Sequence, residues 1–354
     1  MQTKTIIIGA GLTGLTLGYL LQKEGIPFLV LEARERMGGR IKTLYGEGGA
    51  SIEMGATWFG KKHRHLNWLL NELGIGHFAQ HTAGVSLFET FSFAPPQKFE
   101  MPEEGGEPSL RISGGSGILI KKLAVRLGEK AVHLNTAADS VFFKKNNVEI
   151  NTADGRSFFC EMLVSTLPPR LLAETIKIEP ALPRPIKSIC QQTHTWMGES
   201  IKFSLEYATP FWREKGYSGA AFSQSSIASE IHDHSSEDGT FHALKGFLNP
   251  GSASMEKEER KRLLLAQLAK YYGAAAQKYT AYHEAVWSDE KYTYLPYDGY
   301  VGAHQNNGHA AFKELLFDGK FRIAGSETAS GFPGYMDGAV ASAVEVFEQV
   351  KSAL

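Results

Sequence analysis

Three glycines and one acid near the start of the chain have the types and spacing that dinucleotide binding requires. Gly9, Gly11 and Gly14 form the motif G-x-G-x-x-G, and Glu32 follows the apolar run of residues 28–31. The first glycine of such a motif allows a tight turn, the second lets the backbone approach a pyrophosphate, and the third lets a helix pack closely on a strand. A carboxylate after the second strand can accept hydrogen bonds from both hydroxyls of a ribose. These four residues predict a bound dinucleotide.

The elements around the glycines support this prediction. Residues 6–8 are an apolar run typical of a buried strand, and leucines then recur at helical spacing over residues 15–21. The glycines would precede the N-terminus of that helix, where unpaired N–H groups and the helix dipole favour a phosphate. A lone glycine motif is weak evidence, because small residues are common at any strand-to-helix turn. Here strand, glycines, helix, strand and acid occur in order.

The residues after Glu32 indicate which dinucleotide is bound. They continue as E-x-R-x-R-x-G-G-R through Arg34, Arg36, Gly39 and Arg40. This run resembles the second half of the FAD fingerprint of the glutathione-reductase-like flavoproteins. The resemblance implies that glycine backbone passes close to the cofactor and that Arg40 faces its pyrophosphate. A solvated basic turn is the alternative interpretation of Arg34 and Arg36.

The bulk composition is that of an ordinary globular protein. With 354 residues, the chain is long enough for two domains, or for one large domain with an inserted one. Its net charge of −1 gives no reason to expect nucleic acid or an anionic membrane as a partner. Only Cys160 and Cys190 are present, which fits a reducing compartment, and no apolar run approaches the length of a membrane helix. The first strand begins too early for a signal peptide, so we expect a cytoplasmic protein.

The remaining patterns predict two domains in one α/β protein. Residues 162–166 indicate a buried strand that ends at a proline pair, residues 201–207 alternate as a strand, and residues 256–272 have helical periodicity. We expect a glutathione-reductase-like FAD-binding domain, with a Rossmann-type βαβ unit, from residues 1–77, 112–192 and 296–354. A smaller α+β substrate domain would comprise residues 78–111 and 193–295. We interpret the triplet His232-Asp233-His234 as a solvated loop and not as a metal site.

The end of the chain is expected to return to the cofactor. Residues 321–324 indicate a strand, residues 325–328 the turn after it, and residues 334–339 the start of the last helix. A glycine-flanked helix N-terminus is well placed to stabilise negative charge on a reduced isoalloxazine ring.

These segments together resemble the flavin-containing amine oxidases, the monoamine and polyamine oxidase family. The resemblance extends through most of the chain, over the motifs G-A-G-L-T-G-L, E-A-R-E-R-M-G-G-R, M-G-A-T-W, G-G-S-G, V-S-T-L-P-P, M-G-E-S-I-K, P-F-W-R-E-K-G-Y-S-G, V-W-S-D-E-K-Y, A-G-S-E-T-A-S and G-Y-M-D-G-A. The FAD motifs are shared by many flavoenzymes. The I-K before P-F-W and the terminal G-Y-M-D-G-A are closer to monoamine oxidases in particular.

The resemblance implies a role for individual residues. Lys202 matches the lysine that holds a water against flavin N5, with an exposed strand lysine as the alternative. Tyr335 matches one wall of an aromatic cage around the substrate amine, and Tyr297 matches the second wall by its distance from Trp287, although Tyr294 or Tyr300 could serve instead. Packing beside a sheet is the alternative for these tyrosines. The cofactor-binding residues implied by the matched motifs, beyond those already named, are Gly55, Ala56, Thr57, Trp58, Trp287, Gly325, Ser326, Glu327 and Met336.

The chain departs from the family pattern in two places. No cysteine follows Cys190, so the thioether link to flavin of monoamine oxidases cannot form, and we expect non-covalent FAD. Residues 78–111 replace a much longer insertion that covers the substrate cavity in the family, so the substrate cannot be transferred from it. We also expect no counterpart of the C-terminal membrane anchor of the mitochondrial enzymes.

The predicted function is oxidation of an amine. A hydride equivalent would pass from the substrate to flavin N5, the imine would be hydrolysed to a carbonyl compound, and O₂ or another acceptor would reoxidise the flavin, O₂ giving H₂O₂. One alternative is a short flavoprotein oxidase or dehydrogenase acting on a non-amine, such as a renalase-like reduced nicotinamide or a desaturase-like, carotenoid-type hydrocarbon. Another is a protein in which FAD is only a structural or sensing ligand.

Overall fold

The computed structural model describes residues 2–46, 50–100 and 107–353, which form two large sheets, two small sheets and eight α-helices. Residues 101–106, within the turn-rich part of the predicted insertion, lie outside the described residues. The helices are α1 (Leu12–Lys23), α2 (Arg64–Glu72), α3 (Gly117–Leu127), α4 (Pro169–Thr175), α5 (Arg184–Gln191), α6 (Phe211–Glu214), α7 (Lys257–Tyr272) and α8 (Met336–Ala353). The first ten strands are β1 (Gln2–Ile8), β2 (Phe28–Leu31), β3 (Thr43–Tyr45), β4 (Ser51–Glu53), β5 (Trp58–Phe59), β6 (His77–Ala79), β7 (Val85–Glu89), β8 (Gln97–Glu100), β9 (Leu110–Ile112) and β10 (Val132–His133). The other ten are β11 (Ala138–Phe143), β12 (Val148–Thr152), β13 (Ser157–Ser165), β14 (Lys177–Glu179), β15 (Ile201–Tyr207), β16 (Tyr217–Ser223), β17 (Ala228–Asp233), β18 (His242–Leu248), β19 (Tyr279–Val286) and β20 (Phe321–Ile323).

The eight-stranded sheet has a parallel part built around β1. Strands β10, β2, β1, β13 and β20 are neighbours in that order and all run parallel. Buried isoleucines fill β1, as expected of a strand covered on both faces. On its other edge, β13 pairs with β20 through its C-terminal half and with β12 through its N-terminal half. Strand β12 is antiparallel to β13 and also to β11. This confirms the predicted α/β fold with a Rossmann-type βαβ unit.

Helices cover the parallel part of this sheet. Helix α1 follows β1 directly and packs against both α3 and α8. Its buried leucines belong to the same core cluster as Val340, Val346 and Phe347 of α8. The last helix of the chain therefore packs against the first one.

The seven-stranded sheet has the order β19-β15-β18-β17-β16-β7-β8. One face of it is apolar and packs on α7, with Phe203, Leu205 and Leu244 in contact with the helix residues Leu264 and Leu268. Because side chains alternate along a strand, the opposite face carries the intervening residues. That face is turned toward the first sheet and carries polar groups.

The predicted division into two domains stays a prediction. Strands β7 and β8 from the first predicted insertion lie in the same sheet as β15 to β19. The predicted boundaries at 77/78 and 111/112 fall inside β6 and β9, which pair with each other in a three-stranded sheet with β5.

The predicted solvated loop at His232-Asp233-His234 is wrong. His232 and Asp233 end strand β17, and Asp233 and His234 are buried. The Asp233 carboxylate accepts hydrogen bonds from the Trp212 indole N–H at 2.7 Å and from Arg213 Nε at 2.6 Å. A buried carboxylate is stable when it is paired in this way, so a polar triplet does not require solvent.

The other elements agree with the predictions over most of their lengths. Strand β15 has the predicted bounds, and α7 begins one residue after the predicted start. Strand β11 has no counterpart among the predicted elements. Among the described residues, no helix combines the length and the apolar character that a membrane span needs.

Candidate active site

A large cavity runs between the two main sheets; protein atoms leave about 1300 Å³ unfilled there, a volume that includes the solvent at its opening. Its walls come from the turn after β1, the end of β2, the segment around Gly55, strands β15 and β18, and the start of α8. The predicted site residues that line it are Gly9, Gly11, Glu32, Arg34, Gly39, Arg40, Gly55, Ala56, Thr57, Trp58, Lys202, Trp287, Ser326, Tyr335 and Met336. Predicted residues from distant parts of the sequence therefore meet in one place.

The glycine turn is shaped for a close backbone approach. A Cβ atom on Gly14 would lie 2.0 Å from the carbonyl oxygen of Gly9, so α1 can start this near β1 only with glycine there. Gly14 is thus a packing residue beneath the cavity and does not line it. Gly39 has a φ of +56°, and a Cβ on it would lie 3.3 Å from Gly11 Cα. Because these glycines have no side chains, the backbone at the N-terminus of α1 is unobstructed. This open backbone fits the pyrophosphate of a dinucleotide.

Glu32 is buried at the end of β2, on the wall of the cavity. One carboxylate oxygen accepts the N–H of Ala10 at 2.8 Å, and the other accepts the N–H of Arg34 at 3.0 Å. These bonds fix the carboxylate and leave further lone pairs for ligand hydroxyls, since a carboxylate has about four acceptor positions. Glu32 therefore fits the ribose of the predicted cofactor.

Two of the three fingerprint arginines, Arg34 and Arg40, are already paired with carboxylates within the protein. Arg34 lies 3.2 Å from Glu290 and donates to Thr293 Oγ1 at 2.8 Å. Arg40 forms a bidentate pair with Glu327, at 2.5 and 2.8 Å, and also donates to Ser326 Oγ. Burial by itself would raise the pKa of Glu327, but the charge of Arg40 and the hydrogen bonds from Arg40 and Ser326 together outweigh it, and the pKa is lowered. Glu327 thus orients Arg40 at the cavity wall without lining the cavity itself.

The segment from Gly55 to Trp58 forms the wall between the two sheets. A Cβ on Gly55 would lie 2.2 Å from the carbonyl oxygen of Arg40, so this crossing also requires glycine. The Trp58 indole N–H donates to Gln80 Oε1 at 2.8 Å, and that of Trp287 donates to the Met54 carbonyl at 2.8 Å. Both rings are held rigidly against the cavity.

Lys202 is buried on β15, with its side chain in the cavity wall. Its ammonium donates to the carbonyl of Gly55 at 2.5 Å and lies 5.0 Å from the centre of the Phe247 ring. Burial lowers the pKa of Lys202 to about 8. The alternative of an exposed strand lysine is therefore excluded. A cation in a low-dielectric wall interacts strongly with charge that develops inside the cavity.

Aromatic rings line the open end of the cavity. Tyr335 is partly exposed there, and its ring centre lies 5.8 Å from that of Trp196, which also lines the cavity. Trp196 stacks on His304 at 3.9 Å and packs against Gly334, where a Cβ would lie 2.6 Å from the Trp196 Cβ. Trp196 and Tyr335 thus form a continuous aromatic wall.

The structure does not bring Tyr297 into this wall. Its hydroxyl accepts the N–H of Thr195 at 2.8 Å, and the guanidinium of Arg170 lies over its ring at 5.0 Å. Neither Tyr294 nor Tyr300 replaces it: Tyr294 is buried and donates to Glu199, whereas Tyr300 is almost fully exposed. Gly325 also does not line the cavity, and its N–H donates to Ser342 Oγ.

A second cavity opens beside the aromatic wall and shares Trp58 and Tyr335 with the first. Its other residues include His63, Glu107 and Phe332, and His63 packs edge-on against Phe332 at 4.4 Å. The side chains of Trp58 and Tyr335 thus border both cavities.

Sequence reasoning missed several residues of the site. Thr166, Leu167 and Pro168 line the cavity and lie in the motif V-S-T-L-P-P, which signalled the family but no individual role. Trp196 and Phe247 also line it, and no spacing pattern marked them. Both enter the site only through the tertiary fold.

Comparison with known proteins agrees with this geometry. Residues 12–94 and 85–350 match the family described as flavin containing amine oxidoreductase. A probable flavin-containing monoamine oxidase A of Dictyostelium discoideum is 27% identical over 452 aligned residues, covering 99% of this chain and 97% of that protein. A flavin-containing amine oxidase A of Sus scrofa is 24% identical over 454 residues, covering 99% and 85%. A solved structure of wild-type putrescine oxidase bound to putrescine has a TM-score of 0.87 at 22% identity and covers 99% of both chains, a likeness of fold.

Proposed function

The chain belongs to the family of flavin-containing amine oxidoreductases, and from that premise we propose that it oxidises a small amine and passes the electrons to O₂. It is an FAD-dependent oxidoreductase of amines, and the non-amine alternatives are not favoured by its relatives. The choice of O₂ as acceptor and the roles of individual residues are the proposal. The buried Lys202 in the wall of the dinucleotide cavity is the observation that carries it.

FAD fits the residues of the cavity. Gly9, Gly11 and the N-terminus of α1 would hold the pyrophosphate, and the Glu32 carboxylate would bind the ribose. Neither cysteine reaches the cavity, because Cys160 and Cys190 are both buried in the core of the larger sheet. FAD is therefore held non-covalently. When bound, the flavin accepts a hydride equivalent from the substrate carbon.

The protein residues would position the amine and exclude water. Tyr335 and Trp196 present ring faces at the open end of the cavity, where they would orient an amine and cover its carbon chain. Trp58 and Phe247 close the opposite side. Oxidation requires the neutral amine, and an apolar aromatic enclosure favours that neutral form because it disfavours a desolvated charge.

Lys202 would supply the fixed charge of the reaction. The ammonium of Lys202 uses one N–H for the Gly55 carbonyl. Its other N–H groups remain for a water molecule or for an oxygen atom that derives from O₂. An ammonium held in a buried wall stabilises negative charge in the cavity without reorganisation. We therefore assign Lys202 to both halves of the reaction.

The function is tested by anaerobic mixing of the FAD-loaded enzyme with a panel of primary amines and diamines, and with alcohols of the same carbon skeletons. Amines should bleach the flavin absorbance, whereas the matched alcohols should not. Readmitting O₂ should restore the absorbance and release one H₂O₂ per flavin. Acid precipitation should release all of the flavin.

Other outcomes of this experiment would contradict the proposal. Bleaching by a reduced nicotinamide but by no amine would favour the non-amine alternative. Bleaching by amines without recovery in O₂ would remove the oxidase assignment and leave a dehydrogenase.

A further inference from the structure

A second buried lysine lies next to the proposed site and has no role in the reaction as described so far. Lys245 on β18 is fully buried, and its Nζ atom lies 4.8 Å from the centre of the Trp58 ring. It donates a hydrogen bond to a neutral oxygen, Thr57 Oγ1, and within the described part of the chain it forms no ion pair with a carboxylate. A lysine is rarely fully buried without an ionic partner. Packing alone does not explain an amine at this position, because an apolar side chain would fill it at lower cost.

The register of the sheet places Lys245 on the same face as Lys202. Lys202 pairs with Phe247 across the two strands, and Ser204 pairs with Lys245. Since side chains two residues apart share a face, Lys202, Phe247 and Lys245 all point toward the cavity side of the sheet. Lys202 and Phe247 line the cavity, and Lys245 lies one step behind them, against Thr57.

Thr57 connects Lys245 to the cavity. Its hydroxyl accepts the hydrogen bond of Lys245 and donates to the Gly55 carbonyl at 3.2 Å. The same carbonyl accepts the ammonium of Lys202. Thr57 lines the cavity, and a hydroxyl both donates and accepts, so it can pass a proton between the cavity and the buried amine.

The groups around Lys245 make its protonation state sensitive to negative charge in the cavity. Burial, with the charge of Lys202 next, lowers the pKa of Lys245 well below its usual value. Burial likewise raises the pKa of Glu53, whose carboxylate accepts from Thr43 Oγ1 at 2.8 Å and from the N–H of Ser116. The titratable and charged groups that face Lys245 are Lys202 on β15, Glu230 and His232 on β17, His234 after it, Glu53 on β4 and Arg111 on β9. A lowered pKa favours the neutral amine, which can bind a proton when a negative charge arrives beside it.

We propose that Lys245 is the proton-accepting residue that balances the charge of the reduced cofactor, with Thr57 as its connection to the cavity. This rests on the proposed function for the identity of the cofactor. A hydride equivalent brings two electrons and one proton, so the cavity gains one negative charge. One solvent proton bound by the Lys245 amine cancels that charge. When O₂ takes the hydride equivalent and this proton, H₂O₂ forms and Lys245 is neutral again.

The test is a potentiometric titration of the bound flavin across the neutral pH range, with a chemical reductant and redox mediators. Lys245→Met removes the titrating amine and keeps an unbranched side chain. The variant should bind one proton fewer per two electrons than the parent. The midpoint potential of the variant should therefore fall less steeply with pH than that of the parent. The difference in slope should be about 30 mV per pH unit, which is a tenfold change in equilibrium constant per pH unit for a two-electron couple. Lys245→Gln keeps a donor for Thr57 but cannot bind a proton, and should behave like the Met variant.

The threonine supplies the kinetic part of the test. Thr57→Val keeps the shape of the side chain and removes its hydroxyl. It should keep the parental pH slope but take up the proton about tenfold more slowly, as followed with a pH-indicator dye after rapid reduction. Thr57→Ser should restore the parental rate.

A parental pH slope in both Lys245 variants, with FAD still bound, would overturn the proposal and leave Lys245 a structural residue. Because the titration needs no amine, its result is independent of the amine panel. If no amine reduces the flavin but the pH slope is changed in the Lys245 variants, the role of Lys245 stands and only the proposed substrate class is wrong.

Discussion

At the scale of single residues, Lys202 carries the most specific chemistry of the site. Lys202→Met preserves the length of the side chain but removes the ammonium, so FAD binding should survive. Reduction by an amine, reoxidation by O₂, or both should slow by about 10²-fold, the usual effect of losing one positioned polar group at a reacting centre. Stopped-flow flavin absorbance measures the two steps separately. Parental rates in both steps would show that Lys202 serves only the fold.

The buried charge of Lys202 also predicts how stability depends on pH. Burial lowers the pKa to about 8 in the folded state, while the unfolded chain has the ordinary value. Between these two values the unfolded chain binds more protons, so the free energy of unfolding rises with pH in that window, by about 3 kcal/mol in all. In chemical denaturation, Lys202→Met should therefore be more stable than the parent below pH 8, and this advantage should shrink as the pH rises. An unchanging difference would place the ammonium in contact with water.

Glu32 gives a prediction for cofactor affinity. Its carboxylate holds the N–H groups of Ala10 and Arg34 and would bind the ribose. Glu32→Ala should cost about 1–3 kcal/mol of binding, which raises the Kd of FAD by about 5- to 150-fold, because polar groups lose their partner. FMN lacks that ribose and should bind parent and variant equally in calorimetry. Equal loss of both flavins would mean that the variant has only damaged the fold.

Residue roles were predictable where a motif carried them and not where the fold alone did. The glycines, Glu32 and Lys202 occur in recognisable runs, and all but Gly14 and Gly325 line the cavity. Trp196 and Lys245 have no pattern, because each reaches the site through strand pairing or stacking with distant residues. Tyr297 was placed by counting from Trp287, and the chain between them forms a short helical turn and a loop that direct the ring elsewhere.

At the scale of elements, the pair of Arg40 and Glu327 connects the loop after β2 to the turn after β20. Glu327 is almost fully buried, so Glu327→Gln leaves a charge without its partner and should lower the free energy of unfolding by about 3–5 kcal/mol. The pKa of Glu327 is lowered in the folded state, so its contribution is present above the unfolded pKa and is lost as the pH falls through the folded one. The difference between parent and variant should therefore shrink in acid.

The matched control is Glu259→Gln, which breaks the exposed pair with Arg262 on α7 and should leave stability unchanged in the same urea titrations. Equal effects of the two substitutions would mean that the Arg40 pair is no stronger than a surface contact.

An element was predictable from the sequence when its own residues show a clear period of apolar side chains. Strand β15 alternates along its length, and α7 repeats apolar residues at helical spacing, so both were found. Strand β11 and the polar end of β17 were missed. Their burial depends on partners far away in sequence, such as β14 for β11 and Arg213 for Asp233. Local composition does not contain that information.

At the scale of the whole molecule, both large sheets border the cavity, so the binding of FAD should stabilise both of them. FAD at about one hundred times its Kd should raise the free energy of unfolding by about 2.7 kcal/mol. Hydrogen exchange should show added protection in β1 of one sheet and in β15 of the other, because both adjoin the cavity. The distant strand β8 serves as the control and should change less. Protection confined to β1 would show that the sheets open independently.

The return of the chain end to its start has a consequence for biosynthesis. Strand β20 pairs with β13, and Ser326, Tyr335 and Met336 complete the wall that begins at Gly9. A chain leaving the ribosome can form β1, α1 and β2 early, since synthesis proceeds from the N-terminus. Its flavin cradle stays open on one side until α8 has emerged. We therefore expect tight binding of the cofactor only after α8 has been synthesised and has packed against α1.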